Sequence, residues 1–452
     1  MGFFDYPDDT APALRDDGSR AFVDYAELAR RTATWADRLA GAKALVFLFI
    51  PNSIDGVAAL LGAWRAGHAV ALLDPALGDG ARQSLIGAYA PEYAVAADPA
   101  GELAVATYAA GPPPHPDLAL LLSTSGSTGS PKFVRLTLDQ MLHNAKAIAT
   151  VLDVRAGEVG CAHLPLHYSY GLSILTSHLV RGAPVLLTER SFTDREFWAT
   201  AREAAVAHLP GVPFHFQMMQ RLRYERLDLP RLRVLTQAGG GLGVEARREA
   251  HRFMADRGGR FHVMYGQTEA GPRMTTLAHE DFAIAPESVG KALPGGSFEI
   301  VDDDGHPLGA GEAGLVFYRG PNVMLGYAEE RADLALGDVQ QGRLDTGDIG
   351  HLDADGRLTI SGRAKRFGKI FGLRVNLDEI ERAVTALVGP AAVVQTGDQL
   401  HIAHTDPADA ELVTRLSSLF TIPRAAYRLH HLDAIPYTDR GKIDYRKLER
   451  EL

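Results

Sequence analysis

Cysteine is almost missing from this chain. Cys161 is the single thiol in 452 residues, so no internal disulfide can form. A secreted, disulfide-stapled fold, a CxxC redox pair and a cysteine zinc cluster are all excluded. Long apolar runs are missing too. Ala44 to Ile50 covers seven residues and stops at Pro51, against the ~20 that a bilayer-spanning helix needs. Excess positive charge is also absent. The net charge is −10, which gives no global pull toward nucleic acid or an anionic membrane. The first ten residues, MGFFDYPDDT, are acidic and lack a basic n-region, so they do not read as a signal peptide. The expectation is a cytoplasmic protein. Charged residues at 23% and hydrophobic ones at 46% are ordinary globular values, and they rule out a disordered or coiled-coil chain.

The apolar pattern alternates. Asp24 to Leu39 has helical spacing, Ala44 to Ile50 reads as a buried strand, Gly56 to Ala66 as helix and Ala69 to Leu73 as strand, with 74–80 as loop. Strand, helix, strand in this order implies a parallel sheet with crossover helices. Leu118 to Leu122 is a further strand. From Ser297 short strands are separated by Gly/Asp turns, which implies an antiparallel, barrel-like β-unit. A small α+β tail follows, with helices expected at Asp378 to Leu387 and Ala408 to Leu419. The expected fold is therefore α/β. A large N-terminal domain of parallel sheets with flanking helices and a barrel-like subdomain spans 1–362. A small mobile α+β domain spans 363–452.

Five segments carry candidate chemistry. STSGSTGSPK at 123–132 packs hydroxyls and glycines (Thr124, Ser125, Gly126, Ser127, Thr128, Gly129) ahead of Lys132. Such a loop offers many donors with little bulk and can wrap phosphates; the plain alternative is a flexible hairpin. It is not a Walker A loop, because Pro131 occupies the second glycine position. YGQTEAG at 265–271 offers a flat ring (Tyr265), a hydroxyl (Thr268) and a carboxylate for a metal (Glu269). AGGGLG at 238–243 lets a backbone approach a planar ligand. LDTGDIG at 344–350, followed by a cationic stretch, places Asp348 and Arg363 as candidate partners of sugar hydroxyls. In PYTDRGKIDYRKL at 436–448, Lys442 follows a turn and can be carried into a site. Each segment alone also reads as an ordinary turn or a solvated loop. No GxSxG elbow and no HExxH pair is present.

In this order and spacing the segments resemble the ANL adenylating superfamily: acyl- and aryl-CoA synthetases, adenylation domains of peptide synthetases and firefly-type luciferases. The resemblance rests on TSGSTGSPK, AGGGL, YGQTE, GAGEAGLVFYRGPNVMLGY at 309–327, DTGD, GRAK and GKIDYRKL, and extends to VDYAEL at 23–28. It implies ATP-dependent activation of a carboxylic acid to an acyl-AMP, then transfer to a thiol. The acceptor is CoA, or alternatively a phosphopantetheinyl carrier protein, an amine or another acceptor. Position by position, Thr124 to Gly129 and Lys132 match the pyrophosphate loop. Gly239, Gly240, Gly241, Tyr265 and Gly266 match the adenine slot. Thr268 would touch the α-phosphate and Glu269 would hold Mg²⁺. Asp348 and Arg363 would grip the ribose, Lys365 matches the hinge, and Lys442 matches the lysine that bridges carboxylate and α-phosphate. His167, Tyr168, Phe214, His215 and Val263 would line the acid pocket. Three departures are visible: Phe133 stands where glycine is usual after the loop lysine, the hinge reads GRAKRFGK, and the phosphate loop comes early in the chain. No acidic residue lies between His163 and Ser173, so the implied acid lacks an α-amine; the rings and polar tips of the five pocket residues suit a compact aryl or enoyl acid.

Overall fold

The computed structural model describes residues 2–452 apart from 6, 7, 99, 124–131, 371, 372, 407–410, 421 and 439–442; for 365, 367, 369, 373, 374 and 376 it describes the backbone alone. Thr124 to Gly129 and Lys442 thus lie outside the described residues, as does the Lys365 side chain.

Two seven-stranded sheets dominate. In the first, Arg260–Val263, Val234–Gln237, Val206–Gly211, Val159–Ala162, Val185–Leu187 and Pro12–Arg15 run parallel, with Val23–Asp24 antiparallel at the edge. In the second, Leu118–Ser123, Ala69–Leu73, Leu45–Phe49 and Tyr93–Ala97 are parallel neighbours, and antiparallel strands flank them on both sides. Leu45–Phe49 and Ala69–Leu73 are buried along their whole length, as strands covered on both faces must be. Helix Tyr25–Arg38 starts where the Asp24 carboxylate accepts from Glu27 N. The expected loop at 74–80 ends early, because Asp79 opens helix Asp79–Tyr89. Phe133, the departure from glycine, is fully buried and meets the Tyr89 ring edge-on at 5.0 Å.

Helix Ser169–Leu179 is buried on every side. It shares one core with Leu120 and Leu122 of the second sheet and Ala162, Val185 and Val234 of the first. The expected barrel-like unit is a four-stranded antiparallel sheet in the order Ser297–Val301, Gly314–Arg319, Arg343–Leu352, Leu358–Arg363. From Ile370 to Tyr427 a separate core gathers helices Leu377–Val388 and Leu412–Phe420. They lie with a three-stranded sheet of Ala391–Thr396, Gln399–His404 and Tyr427–His431. No helix among the described residues is long and apolar enough to cross a membrane.

The amino ends of the first sheet are pinned by charge. Glu158 accepts from Arg233 Nη2 and lies 3.2 Å from His208 Nε2. Burial would raise its carboxyl, but the bonds from His208 and Arg233 prevail and hold it at about 2. A lowered carboxyl stabilises the fold above its ordinary 4.5 and loses that contribution as pH falls toward 2. Glu158→Gln is therefore expected to be less stable than the wild type at pH 7. Urea melts at stepped pH should show the gap closing between pH 4.5 and about 2.

Candidate active site

Parallel strands end together, and the crevice outside their carboxyl ends is where α/β sheets bind ligands. In the first sheet four connections leave from that edge. Residues 163–168 lead into helix Ser169–Leu179, Val212 leads into helix Pro213–Leu222, 238–243 follow Gln237, and 264–273 follow Val263. The sequence segments with candidate chemistry are therefore gathered by topology.

The 264–273 segment is fixed from several sides. Tyr265 O accepts from Met274 N and Thr275 N, while Tyr265 N donates to Thr275 Oγ1 at 3.1 Å. Gly266 lies against the chain folding back over it: a Cβ there would meet Pro272 O at 1.8 Å and Arg273 Cα at 2.7 Å. Thr268–Ala270 forms a 3-10 turn, held where Asn322 Nδ2 donates to Ala270 O and Met324 N to Glu269 O. Thr268 Oγ1 lies 3.0 Å from Ser169 Oγ at the start of the buried helix.

Asp348 is buried, and its Oδ2 accepts from Tyr265 Oη at 2.5 Å and Gln267 Nε2 at 3.0 Å. Arg363 Nε is 3.5 Å from its Oδ1, because the two residues stand directly opposite in the antiparallel ladder. Burial pushes the Asp348 carboxyl up, while Arg363, Tyr265 and Gln267 pull it down; the net shift is upward. Burial and the adjoining carboxylate also drive the Tyr265 hydroxyl up, so it stays a donor.

Tyr327 links two other candidates. Its hydroxyl donates to Glu269 Oε1 at 2.8 Å, and Lys132 Nζ sits 3.7 Å from its ring centroid. Lys132 also lies 3.7 Å from Glu329. Glu269 Oε2 has no hydrogen-bond partner among the described residues. A half-buried carboxylate with a lone oxygen is the hard donor that Mg²⁺ takes.

The glycine run follows strand Val234–Gln237. Gly239 has φ +79°, and a Cβ there would lie 2.5 Å from Tyr168 Oη. Gln237 Nε2 donates to Gly240 O at 2.7 Å, and Gly241 faces open space.

The expected pocket residues divide. Tyr168 is buried beside Gly239, and His167 is half-buried. His215 Nδ1 accepts from Val212 N, and its ring stands edge-on to His163 at 4.7 Å within a cluster that includes Phe192 and Phe197. Burial lowers both imidazoles, His163 to about 4, so both are neutral at pH 7. Two of the expected pocket residues stand apart from these. Phe214 points outward, 38% exposed, because it occupies the solvent side of helix Pro213–Leu222. Val263 packs in the core with Phe216, Phe261 and Leu277, at the end of the sheet's edge strand, where its backbone bridges Leu277.

Sequence reasoning missed Gln267, Tyr327, Ser169, Ser173 and Arg273. Arg273 is fully buried among Tyr170, Ser173 and Met264. Its signal was a charge inside an otherwise small and apolar stretch, GPRM.

Residues 95–328 match the AMP-binding enzyme family. A feruloyl-CoA synthase from Amycolatopsis is 30% identical over 96% of this chain and 94% of its own length. An indoleacetate–CoA ligase from Aromatoleum aromaticum is 33% identical over 58% of this chain, which spans about half (51%) of that relative. Among solved structures, ATP-bound MatB from Rhodopseudomonas palustris superposes with a TM-score of 0.84 at 22% identity, covering 100% of this chain and 98% of that one. The o-succinylbenzoate CoA synthetase MenE from Bacillus subtilis gives 0.79 at 21% identity, covering 97% and 95%. These two likenesses are of fold. The family match and the full-length relative, with the ordered motifs, lead to one conclusion: the chain belongs to the AMP-binding enzymes of the ANL adenylating superfamily.

Proposed function

We propose that this enzyme is an AMP-forming ligase that activates a carboxylic acid with ATP and passes the acyl group to a thiol, CoA in the first instance. The observation that carries the proposal is the convergence of Thr268, Glu269, Tyr265 and the Asp348–Arg363 pair at the carboxyl edge of one parallel sheet.

Attack of a carboxylate oxygen on the α-phosphorus forms a C–O–P linkage and breaks the bond to pyrophosphate. Negative charge meets negative charge, so the enzyme's task is in-line placement and neutralisation. Thr124 to Gly129 and Lys132 would hold the leaving phosphates, with Lys132 released from Glu329 and the Tyr327 face. Thr268 would donate to the α-phosphate and Lys442 would bridge it to the carboxylate. Glu269 would hold Mg²⁺, which supplies charge neutralisation on the phosphates when bound. Tyr265, Gly266 and Gly239 to Gly241 would flank the adenine, and Asp348 with Arg363 would take the ribose hydroxyls. The thiol then attacks the acyl carbonyl and AMP leaves, after the segment beyond Lys365 has swung about that hinge. The domain boundary at 362/363 follows from the same reading. Tyr168 and His167 would border a compact aryl or enoyl acid without an α-amine; the relatives' names, indoleacetate and feruloyl, fit aromatic acids. A cytoplasmic setting supplies both ATP and CoA.

A second acceptor reading has its own support. An L-proline–[L-prolyl-carrier protein] ligase from Pseudomonas fluorescens is 30% identical over 74% of this chain. Pyrophosphate release across an acid panel tests adenylation. Addition of CoA or a holo carrier protein then separates the acceptors: thioester on CoA supports the ligase, and acyl transfer only to the carrier supports the alternative.

Asp348→Asn tests the nucleotide grip. A charged hydrogen bond to a ribose hydroxyl is worth enough to raise the KM for ATP roughly 10–100-fold on removal. Stability should hold or rise, because burial already disfavours the charged form. The raised carboxyl also fixes a sign. The ionised grip exists above its pKa and is lost as pH falls through it, so the wild-type KM for ATP rises on acidification while the Asn variant stays flat.

A further inference from the structure

Tyr327 touches two charges that come from different sheets. Lys132 precedes strand Phe133–Thr137 of the second sheet, and Glu269 lies on the turn beyond strand Arg260–Val263 of the first. Strand register accounts for the first contact. Gly326–Ala328 pairs antiparallel with Phe133–Thr137, Tyr327 opposite Val134 and Ala328 opposite Phe133. One step further Lys132 comes level with Glu329, 3.7 Å away. That places it diagonal to Tyr327 on the same face, a spacing that long and aromatic side chains bridge. Its Nζ accordingly rests 3.7 Å from the Tyr327 ring centroid. Main-chain bonds account for the second contact. Met324 N donates to Glu269 O at 2.9 Å, and Leu325 N to Arg135 O at 2.9 Å. The segment entering Tyr327 is thus tied both to the Glu269 turn and to the second sheet. From there the Tyr327 hydroxyl donates to Glu269 Oε1 at 2.8 Å.

The ammonium and the carboxylate share one ring, the first against its face and the second at its hydroxyl. Yet among the described residues Lys132 pairs with Glu329 and not with Glu269. A direct Lys132–Glu269 pair would cancel the negative charge that a hard cation needs from its oxygen ligand. The hydroxyl does the opposite. A neutral donor fills one oxygen of Glu269, fixes the plane of the carboxylate, and leaves Oε2 and the negative charge available. Bonds of this kind behind a ligating carboxylate set both its aim and its affinity.

We propose that Tyr327 is a positioning residue for the metal ligand: its hydroxyl aims Glu269, and its ring keeps Lys132 from pairing with that carboxylate before the nucleotide arrives. This rests on the adenylation reading above, in which Glu269 holds Mg²⁺ and Lys132 the leaving phosphates. An incoming triphosphate draws the lysine off the ring face, while Glu269 is already oriented. The two charges then act on the phosphates separately instead of neutralising each other.

The test is ATP binding to the full chain by calorimetry, with no acid present, in excess Mg²⁺ and in EDTA. The ratio of the two affinities is the metal increment. Tyr327→Phe keeps the ring and removes only the hydroxyl. It should shrink the increment about 10-fold, or abolish it, and leave the affinity in EDTA within about twofold of the wild type. In a Glu269→Gln background the same change should lower ATP affinity no further in either medium, whereas general loosening of the site would lower both. Tyr327→Leu, which also removes the ring, should shrink the increment more than Phe does. An unchanged increment, an equal loss in Mg²⁺ and EDTA, or a further loss in the Gln background overturns the assignment. So does a Phe variant that melts well below the wild type, since the hydroxyl would then be structural. Equal increments in the Leu and Phe variants overturn the part given to the ring. Should the Leu variant not fold, the Phe and Gln variants decide alone. Wild-type ATP binding that ignores Mg²⁺, with acid-dependent pyrophosphate release intact, removes this assignment and leaves adenylation standing; neither binding nor release strikes both together.

Discussion

Lys442→Ala is expected to lose acyl-AMP formation by about 10²–10³-fold or more, the scale on which a single transition-state charge contact acts. Pyrophosphate release would report the loss, and an unchanged melting profile would show that the fold is intact. The variant should still pass an acyl group from supplied acyl-AMP to the thiol, because the proposed role belongs to the first half-reaction alone. Loss of both half-reactions, or near-normal adenylation, would remove the assignment. Lys442 itself lies outside the described residues, but its neighbours are placed. Tyr437 and Ile443 pair across a β-bridge, and Asp444 N donates to Pro436 O at 2.8 Å. Tyr437 shares a side-chain hydrogen bond with Gln217 on helix Pro213–Leu222.

Gly266→Ala is expected to be the most damaging methyl group that can be added to the site. The new Cβ would press on the carbonyl of Pro272 and on Arg273 Cα, which are backbone atoms without a rotamer to yield. The chain must move by roughly 1 Å, and overpacking of this kind costs about 1–3 kcal/mol. The displaced segments carry Thr268, Glu269 and Arg273, and a shift of that size in a catalytic array costs on the order of 10²-fold in rate. Thermal melts and acid-dependent turnover should both fall. Gly87→Ala, inside helix Asp79–Tyr89 with nothing within 4 Å, is the control expected to melt no lower than the wild type.

Local chemistry was readable wherever one segment carried it. Ala69–Leu73 and Leu45–Phe49 announced themselves as apolar runs between breakers, and YGQTEAG offered its ring, hydroxyl and carboxylate in five residues. What stayed hidden depends on register and packing. That Asp348 faces Arg363 is a fact of strand pairing, and that Tyr327 bonds Glu269 is a fact of the second sheet's edge strand folding over the site. The orientations of Val263 and Phe214 were hidden for the same reason: chain position near a motif does not say which face of a strand or helix a side chain takes. Arg273 escaped because a single arginine has no period, and its isolation from acids exists only in three dimensions.

The ladder opposition of Asp348 and Arg363 also sets what a swinging part of the chain can carry away. Arg363 is the last residue of its strand, and the next side chain with fixed partners, Arg366, is tied to Asp378, Glu381 and the Val393 carbonyl. Rotation about the two residues between would turn everything downstream like a door on its post. On a hinge at Lys365 the arginine would stay in the frame, once its backbone N–H lets go of Asp378. A nucleotide gripped through its sugar would keep its seat while the face presented to its acyl end is exchanged, so AMP would be the last product free to leave.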